Sequence, residues 1–296
     1  MVGFESTVPG FDMRAETHKF DKNSESVSVL IPVLNGERFL QSALDSVILQ
    51  SKVTEIVVVD NGSSDKTLHI LDSYKRLDSR IKVYECPLRG ISNALNLGLS
   101  VANGNFIARL DADDVMTPHR IELQMNHFRD NPEIVLLASQ IGYIDEGGMG
   151  LGISKYPNGR LSLMKHFVLR NPIAHPSVIF KKEAALLAGG YNPAYEGAED
   201  LDLWIRISSL GDIFVSSEIL TLYRKHQEQV SFKNNNYKSE LKLRLDYFLC
   251  RISSKNHGWI FSAMQLLRLI DLASTRIPLL VKARHFVKRI YLKRKI

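Results

Sequence analysis

The chain has 296 residues, of which 45% are hydrophobic and 24% are charged. These proportions are those of an ordinary globular protein with material for a sizeable core, and they exclude gross disorder. The formal net charge of +6 is unevenly distributed, because residues 241–296 hold 13 Lys and Arg against 2 Asp and Glu. This basic C-terminal part is expected to have different partners from the mildly acidic remainder.

Two features bear on the cellular compartment. Cys86 and Cys250 lie far apart and show no metal-ligand spacing, so no disulfide framework is expected and a reducing compartment fits. Residues 1–26 are polar, and we expect a poorly ordered extension with neither a secretory signal nor an anchor. No window reaches the roughly 20 apolar residues that span a bilayer. The sequence therefore predicts a cytoplasmic protein, whose contact with the inner face of the cell membrane would be peripheral.

Short apolar runs alternate with helical patterns from Val27 onward. Apolar residues fall on one helical face between the first two runs, and a second helical pattern follows the second run. This alternation predicts an α/β fold with a doubly wound, mostly parallel sheet flanked by helices. Strands are predicted at residues 27–34, 56–60, 81–85 and 106–111.

The later part of the chain is predicted less regularly. Residues 147–190 are richer in Gly and Pro and indicate loops with short elements, after which a helix is expected from Asp202. Residues 238–296 are mostly helical in pattern. We therefore expect one domain over residues 27–237, divided into halves 27–115 and 116–237, and a basic helical extension over residues 238–296.

The segment from Arg109 to Asp114 places three carboxylates within four residues at the end of a predicted strand. Hard cations such as Mg²⁺ and Mn²⁺ prefer carboxylate and phosphate oxygens, and three crowded anions repel each other unless a cation compensates. The alternative is a solvated turn in which Asp113 or Asp114 caps a helix. It is the weaker reading, because Thr117-Pro118 predicts the helix start. The cluster predicts a divalent metal site that handles a phosphorylated substrate.

A second acidic position follows the second predicted strand. Asp60 precedes Gly62, which allows a tight turn, and Asp65 is placed to cap the next helix. Taken alone, this segment is better explained as an ordinary turn between strand and helix, because helix caps are common at such junctions. In a parallel sheet, however, ligands bind beyond the carboxyl ends of the strands. Asp60 is therefore expected to face the same ligand as Asp111 and Asp113.

Three further signals carry chemistry. The acid pair Glu199-Asp200 precedes a helical face and either complements the helix dipole or offers a carboxylate that takes a proton from a nucleophile. His175 and His226 are either structural or placed to bind metal or phosphate. Residues 276–296 carry eight Lys and Arg and no acid at helical spacing. They predict either a basic helix on an anionic membrane or one packed on the domain; without a nucleic-acid motif, no nucleic-acid partner is expected.

Taken together and in this order, these segments resemble the family 2 glycosyltransferases of the nucleotide-diphospho-sugar transferase superfamily. The resemblance covers roughly residues 27–232 and implies the Rossmann-like GT-A fold, with 27–115 as the nucleotide-binding half and 116–237 as the acceptor-binding half. The segments that carry it are Val29–Asn35, Val57–Asp65, Arg89–Gly98, Arg109–Asp114, Glu199-Asp200 with Trp204, and Tyr223–Ser231.

The resemblance also implies a role for individual residues. On the nucleotide side, Pro32 and Asn35 would border the base, Asp60 would bond it, and Arg89 would approach the nucleotide. Many relatives carry a second Asp where this chain has Asn61, so Asp60 would recognise the base alone. The remaining implied roles are ribose binding by Asp111, metal binding by Asp113 of an Asp-X-Asp motif and by His226, proton acceptance by Asp200, and contacts to the acceptor or donor sugar by Glu199, His175 and Trp204.

The implied reaction is an inverting glycosyl (hexosyl) transfer from a nucleotide-sugar, usually a UDP-sugar, with Mn²⁺ or Mg²⁺ as cofactor. The acceptor would be a saccharide or a lipid-linked hydroxyl in surface polysaccharide biosynthesis. One alternative is a nucleotidyltransferase, which should show a Gly-rich, basic loop after the first strand; this chain has residues 32–36 of sequence PVLNG there. The other is a non-catalytic nucleotide or glycan binder, which is disfavoured because both acidic groups are present.

Overall fold

The computed structural model describes residues 25–161 and 171–229, and a few residues of a later helical stretch between 239 and 247. Residues 1–24 of the predicted N-terminal extension (residues 1–26) and the basic segment 276–296 lie outside the described residues, so the expectations about them stay predictions. Within the described part, no helix is long and apolar enough to cross a membrane.

Up to residue 229, the described residues form a ten-stranded sheet and six α-helices. The helices are α1 (Leu40–Ile48), α2 (Thr67–Leu77), α3 (Ile91–Val101), α4 (Arg120–Asp130), α5 (Lys182–Leu187) and α6 (Glu199–Ile207). The strands are β1 (Val27–Val33), β2 (Glu55–Asp60), β3 (Ile81–Glu85), β4 (Phe106–Arg109), β5 (Val115–Met116), β6 (Ile134–Ile144), β7 (Gly150–Ile153), β8 (Gly159–Arg160), β9 (Ile179–Lys181) and β10 (Asp212–Arg224).

The sheet has the order β3-β2-β1-β4-β9-β6-β10-β5, with β7 on β6 and β8 on β10. Strands β3, β2, β1 and β4 are parallel, whereas β9 runs antiparallel to both β4 and β6. Apolar residues of α1, α2 and α4 pack on one face and those of α3, α5 and α6 on the other. Helices on both faces of a largely parallel sheet confirm the predicted α/β architecture.

The strand register brings the predicted ligand-binding loops to one edge. Val33 at the end of β1 pairs with Asp60 at the end of β2, and Leu30 pairs with Arg109 at the end of β4. Because these strands are parallel neighbours, the residues that follow them emerge side by side. The predicted boundary between residues 115 and 116 falls inside β5, and strands from both predicted halves join the one sheet.

Three features differ from the sequence predictions. Helix α4 begins at Arg120 and not at Thr117-Pro118. Val115 and Met116, directly before Thr117, pair with β10, so this part of the chain belongs to the sheet. Helix α6 begins at Glu199 and not at Asp202, so the acid pair lies within its first turn. The long strands β6 and β10 were not predicted; β6 lies between β9 and β10 and is almost entirely buried, whereas β10 lies next to the edge strand β5 and is partly buried.

A buried arginine joins the two parts of the sheet. Arg120 is 0% exposed, and its guanidinium donates to the Pro176 carbonyl at 2.8 Å, to Thr221 Oγ1 at 3.0 Å and to the Arg109 carbonyl at 3.0 Å. Its Nε also donates to Gln124 Oε1 within α4. One side chain thus satisfies acceptors from β4, β10 and the turn before β9.

Replacing Arg120 with Met should destabilise the protein by about 3–5 kcal/mol, because buried carbonyls lose their donors. Urea unfolding followed by circular dichroism measures the loss. Arg129→Met is the matched control on the same helix. Since Arg129 forms an exposed ion pair with Glu25 and an exposed hydrogen bond to Asn126, its loss should cost at most about 1 kcal/mol. Equal effects of the two substitutions would contradict the prediction.

Candidate active site

The loops after β1 and β2 are bonded to each other. Asn35 has a left-handed backbone conformation (φ 54°), and its Oδ1 accepts a hydrogen bond from Ser64 N at 2.8 Å. Asp65 accepts from Glu37 N at 3.0 Å and from Thr67 N at 2.9 Å, whereas the N-cap residue of α2 is Lys66 and not Asp65 as the sequence predicted. The two loops therefore form one rigid rim, in which the Asn35 side chain links the loops.

Asp60 lies beneath this rim and is only 2% exposed. Its Oδ2 accepts from Gly62 N at 3.0 Å and from Ser63 N at 3.1 Å, so the carboxylate closes its own tight turn. Gly62 has φ 87°, and a Cβ there would meet the Arg89 guanidinium at 3.1 Å. Arg89 thus lies against the Asp60 turn. Pro32 is buried in β1 opposite Val59.

Asn61 joins the β2 turn to the segment that carries Arg89. Its Oδ1 accepts from Gly90 N at 2.8 Å and its Nδ2 donates to the Leu88 carbonyl at 2.7 Å. An aspartate lacks the amide donor that the second of these bonds requires. The amide at position 61 therefore has a local structural role that a carboxylate would not fill.

The three acidic residues after β4 converge. Asp111, Asp113 and Asp114 offer carboxylate oxygens that all lie within 4.8 Å of one another. Asp114 is 0% exposed; its Oδ1 accepts from Arg224 N at 2.8 Å, whereas its Oδ2 has no hydrogen-bond partner among the described residues. Burial, followed by the charges of its acidic neighbours, raises the pKa of Asp114 well above its usual range. A divalent cation would relieve both the repulsion and the unpartnered oxygen.

The end of β10 forms the opposite wall of this cluster. His226 Nε2 lies 2.8 Å from Asp113 Oδ2, and the His226 ring packs at 4.9 Å from Phe39. Its buried Nδ1 has no partner within the described part of the chain. Arg224 donates from Nε to the Asp113 carbonyl at 3.0 Å and from Nη1 to the Asp145 carbonyl at 3.1 Å. Two residues that the resemblance assigned to the metal, Asp113 and His226, are therefore in contact.

Arg109 links the acidic cluster to the second acid pair. It is 1% exposed, pairs with Asp111, and its Nε has no hydrogen-bond partner in the described residues. Its positive charge lowers the pKa values of both Glu199 and Asp200, although burial outweighs this effect. Sequence reasoning treated Arg109 and Arg224 only as members of motifs; the structure shows that both hold functional groups in place.

The acid pair occupies the first turn of α6. Asp200 Oδ2 accepts from Asn171 Nδ2 at 2.7 Å, and Asp200 Oδ1 accepts from Leu201 N at 2.6 Å. The Glu199 carboxylate folds back onto Gly197 N. Burial raises the pKa of Glu199 to about 7 and that of Asp200 to about 6, and the Asp200 charge adds to the shift of Glu199. A carboxyl group with a pKa close to neutrality is suited to proton transfer.

An aromatic group lies beside the acid pair. His175 Nε2 is 3.0 Å from the Tyr191 hydroxyl, and the His175 ring meets Trp204 edge-on at 5.6 Å. Burial, together with the charge of Arg109, lowers the pKa of His175 well below its usual range, so this imidazole is neutral. Trp204 is 0% exposed. The structure therefore places Trp204 beneath the site rather than on its surface, where contact with a sugar was expected.

The raised pKa of Glu199 predicts a pH-dependent gain of stability in Glu199→Gln. The pKa of Glu199 in the folded state is about 7, against an ordinary value of 4.5, so ionisation of this carboxyl opposes folding. The gain should be absent below about pH 4.5, grow as the pH rises, and level off above about pH 7. We expect about 1–3 kcal/mol at pH 8, where an ionised buried carboxylate has been removed.

The gain can be measured by urea unfolding of the metal-free protein at pH 4.5 and pH 8. Gln still offers an oxygen to Gly197 N, so the backbone contact is retained. Equal gains at both pH values would contradict the prediction.

The fold and site define an α/β protein of mixed sheet, in which a carboxylate cluster and a separate acid pair lie on either side of Arg109. The sequence profile described as "Glycosyl transferase family 2" matches residues 28–184. The chain belongs to this family and is a glycosyltransferase enzyme.

Named relatives and solved structures agree with this assignment. The chain is 31% identical to the O-antigen biosynthesis glycosyltransferase WbnJ of Escherichia coli, over 76% of this chain and 86% of that protein. It is 29% identical to the amylovoran biosynthesis glycosyltransferase AmsE of Erwinia amylovora, over 81% and 91% of the two chains. The crystal structure of S. aureus TarS 1–349 with UDP-GlcNAc matches with a TM-score of 0.67 over 85% of this chain and 74% of that one. At 17% identity, this last likeness concerns the fold alone.

Proposed function

We propose that the protein is an inverting glycosyltransferase that transfers a sugar from a nucleotide-diphosphate-sugar, a UDP-sugar in the first instance, to an acceptor hydroxyl. The acceptor is a saccharide or a lipid-linked saccharide of a surface polysaccharide. The observation that carries the proposal is the separation of two acidic groups by Arg109: a carboxylate cluster suited to a cation, and a carboxyl pair of raised pKa. The names of WbnJ and AmsE and the UDP-GlcNAc complex of TarS support the substrate class.

The acidic cluster fits Mn²⁺ or Mg²⁺. Asp113 offers a partly exposed carboxylate, Asp114 offers an unpartnered oxygen beside it, and His226 lies against Asp113. When bound there, the cation would supply positive charge that stabilises a departing nucleoside diphosphate. On the same edge, Asp111 is proposed to bond the ribose, and Asp60 the nucleobase, with Arg89 beside the nucleotide.

Asp200 is proposed as the general base. Its carboxylate takes the proton of the acceptor hydroxyl while that oxygen attacks the anomeric carbon from the face opposite the nucleotide. The bond from the anomeric carbon to the diphosphate oxygen breaks, and the configuration inverts in one displacement without a covalent sugar intermediate. With a pKa of about 6, Asp200 is largely ionised at neutral pH and still basic enough to accept a proton. His175, which is neutral, and Glu199 are proposed to line the side of the site that binds the acceptor or the donor sugar.

A panel of nucleotide-sugars tests this function. With Mn²⁺ present, calorimetry should show binding of uridine donors, and an acceptor saccharide should increase the release of UDP. Binding of guanosine or thymidine donors with no uridine donor bound would overturn the assignment of the base. Release of pyrophosphate from a nucleoside triphosphate would identify a nucleotidyltransferase, whereas donor binding without turnover would indicate a non-catalytic binder.

A further inference from the structure

Asn171 contacts the proposed base through a side chain whose orientation is fixed. Its Oδ1 accepts a hydrogen bond from Ile173 N at 3.2 Å, so the oxygen end of the amide belongs to a local turn. The amide nitrogen therefore faces outward from the turn and donates to Asp200 Oδ2 at 2.7 Å. Asn171 lies 29 residues before Asp200, so this contact is made by the tertiary fold.

The Asp200 carboxylate is held at both oxygens. Leu201 N donates to Oδ1 at 2.6 Å, and Asn171 Nδ2 donates to Oδ2. Two donors fix the rotation of the carboxylate, and each oxygen retains a second lone pair that can take a proton. Bonds of this kind also favour the ionised carboxylate, against the cost of burial.

Other charged and titratable groups among the described residues face Asp200 and set the background for this bond. The Asp200 charge raises the pKa of Glu199 on the same helix, and Arg109 on β4 favours the ionised form of Asp200. The Tyr191 hydroxyl stays protonated, because burial raises its pKa. In this set, Asn171 is the side chain that donates directly to Asp200.

We infer that Asn171 is a positioning residue for the transfer reaction: its amide orients the Asp200 carboxylate and keeps it in the ionised form that accepts the proton of the acceptor hydroxyl. The inference rests on the proposed role of Asp200 as general base. Asn171 itself exchanges no proton with the substrate and acts through the carboxylate it holds.

Asn171→Asp separates this role from the local turn. An aspartate at 171 still offers an oxygen to Ile173 N, so the turn is preserved, but it replaces the donor with a second anion facing Asp200. The acidic limb of the pH profile of kcat should move upward by about one pH unit. Here kcat is measured as the release of nucleoside diphosphate from the donor that the panel identifies. At pH values below this limb, kcat of the variant should be roughly tenfold lower than that of the wild type, and the difference should disappear toward pH 8. The KM for the donor should not change.

Two further variants are controls for a general structural effect of the substitution. Asn192→Asp makes the same change at an amide that accepts from Ala194 N and caps a short turn, and it should leave the limb in place. Asn171→Ala removes the donor without adding a charge, and it should shift the limb in the same direction by less. An unmoved limb in both Asn171 variants, or an equal shift in Asn192→Asp, would overturn the inference.

A double-mutant comparison separates the inference from the proposed function. If Asn171 acts through Asp200, adding Asn171→Asp to Asp200→Asn should change kcat by less than about twofold. A further tenfold loss in that background would overturn the inference while leaving Asp200 as the base. Wild-type kcat in Asp200→Asn alone would reject the role of Asp200, and the inference with it.

Discussion

Asp200→Asn should lower kcat by about 10²–10⁴-fold, the usual contribution of a general base, while nucleotide affinity stays nearly intact. The amide is isosteric but has a single oxygen, so it can accept from only one of the two donors, Leu201 N or Asn171 Nδ2, and the change is confined to the acid pair. It cannot accept the proton of the acceptor hydroxyl. Steady-state kinetics and calorimetry with the donor and Mn²⁺ measure the two quantities separately.

Glu183→Gln is the matched control for this substitution. Glu183 is exposed and is the second residue of α5. Asp200 occupies the same position in the first turn of α6. If acids at these positions only complement the helix dipole, both variants should show small losses of stability and unchanged kcat. Collapse of nucleotide affinity together with turnover in Asp200→Asn would place Asp200 in nucleotide binding and contradict its role as base.

Asp113→Asn should lower kcat/KM by roughly 10³-fold, because a cation in this position is worth several kcal/mol of charge stabilisation. The substitution removes one anion from the cluster. It replaces the partly exposed carboxylate that contacts His226. Calorimetric titration with Mn²⁺ should show at least about tenfold weaker binding, as expected when a charged ligand is lost.

Asp72→Asn provides the comparison for the loss of one negative charge. Asp72 is exposed on α2, away from the acidic cluster, and its replacement should leave both kcat/KM and Mn²⁺ binding unchanged. Unchanged kcat/KM in Asp113→Asn would show that the cluster is not the catalytic metal site. Both variants should be checked for unchanged unfolding, because Asp113 lies beside the buried carboxylate of Asp114.

The first four strands, the two helices that follow the first and second of them, and the acidic positions at the strand ends were predictable from the sequence. These features follow from short-range information: the periodicity of apolar residues reports which face is buried, and parallel strands direct their carboxyl ends to one edge. Asp60 and the cluster at Asp111 could therefore be assigned to one edge before any contact was known. The resemblance of ordered motifs then supplied the family.

The contacts that hold these acids, and the burial that makes some of them keep their protons, are visible only in the folded chain. Arg224 reaches Asp114 across 110 residues of chain, and Asn171 reaches Asp200 across 29, so no local pattern encodes either bond. The same holds for the burial of Trp204 and for the position of Arg109 between the two acidic groups. The sequence shows which side chains can ionise, whereas their burial and their distant partners set their pKa values, and both arise only when the chain folds.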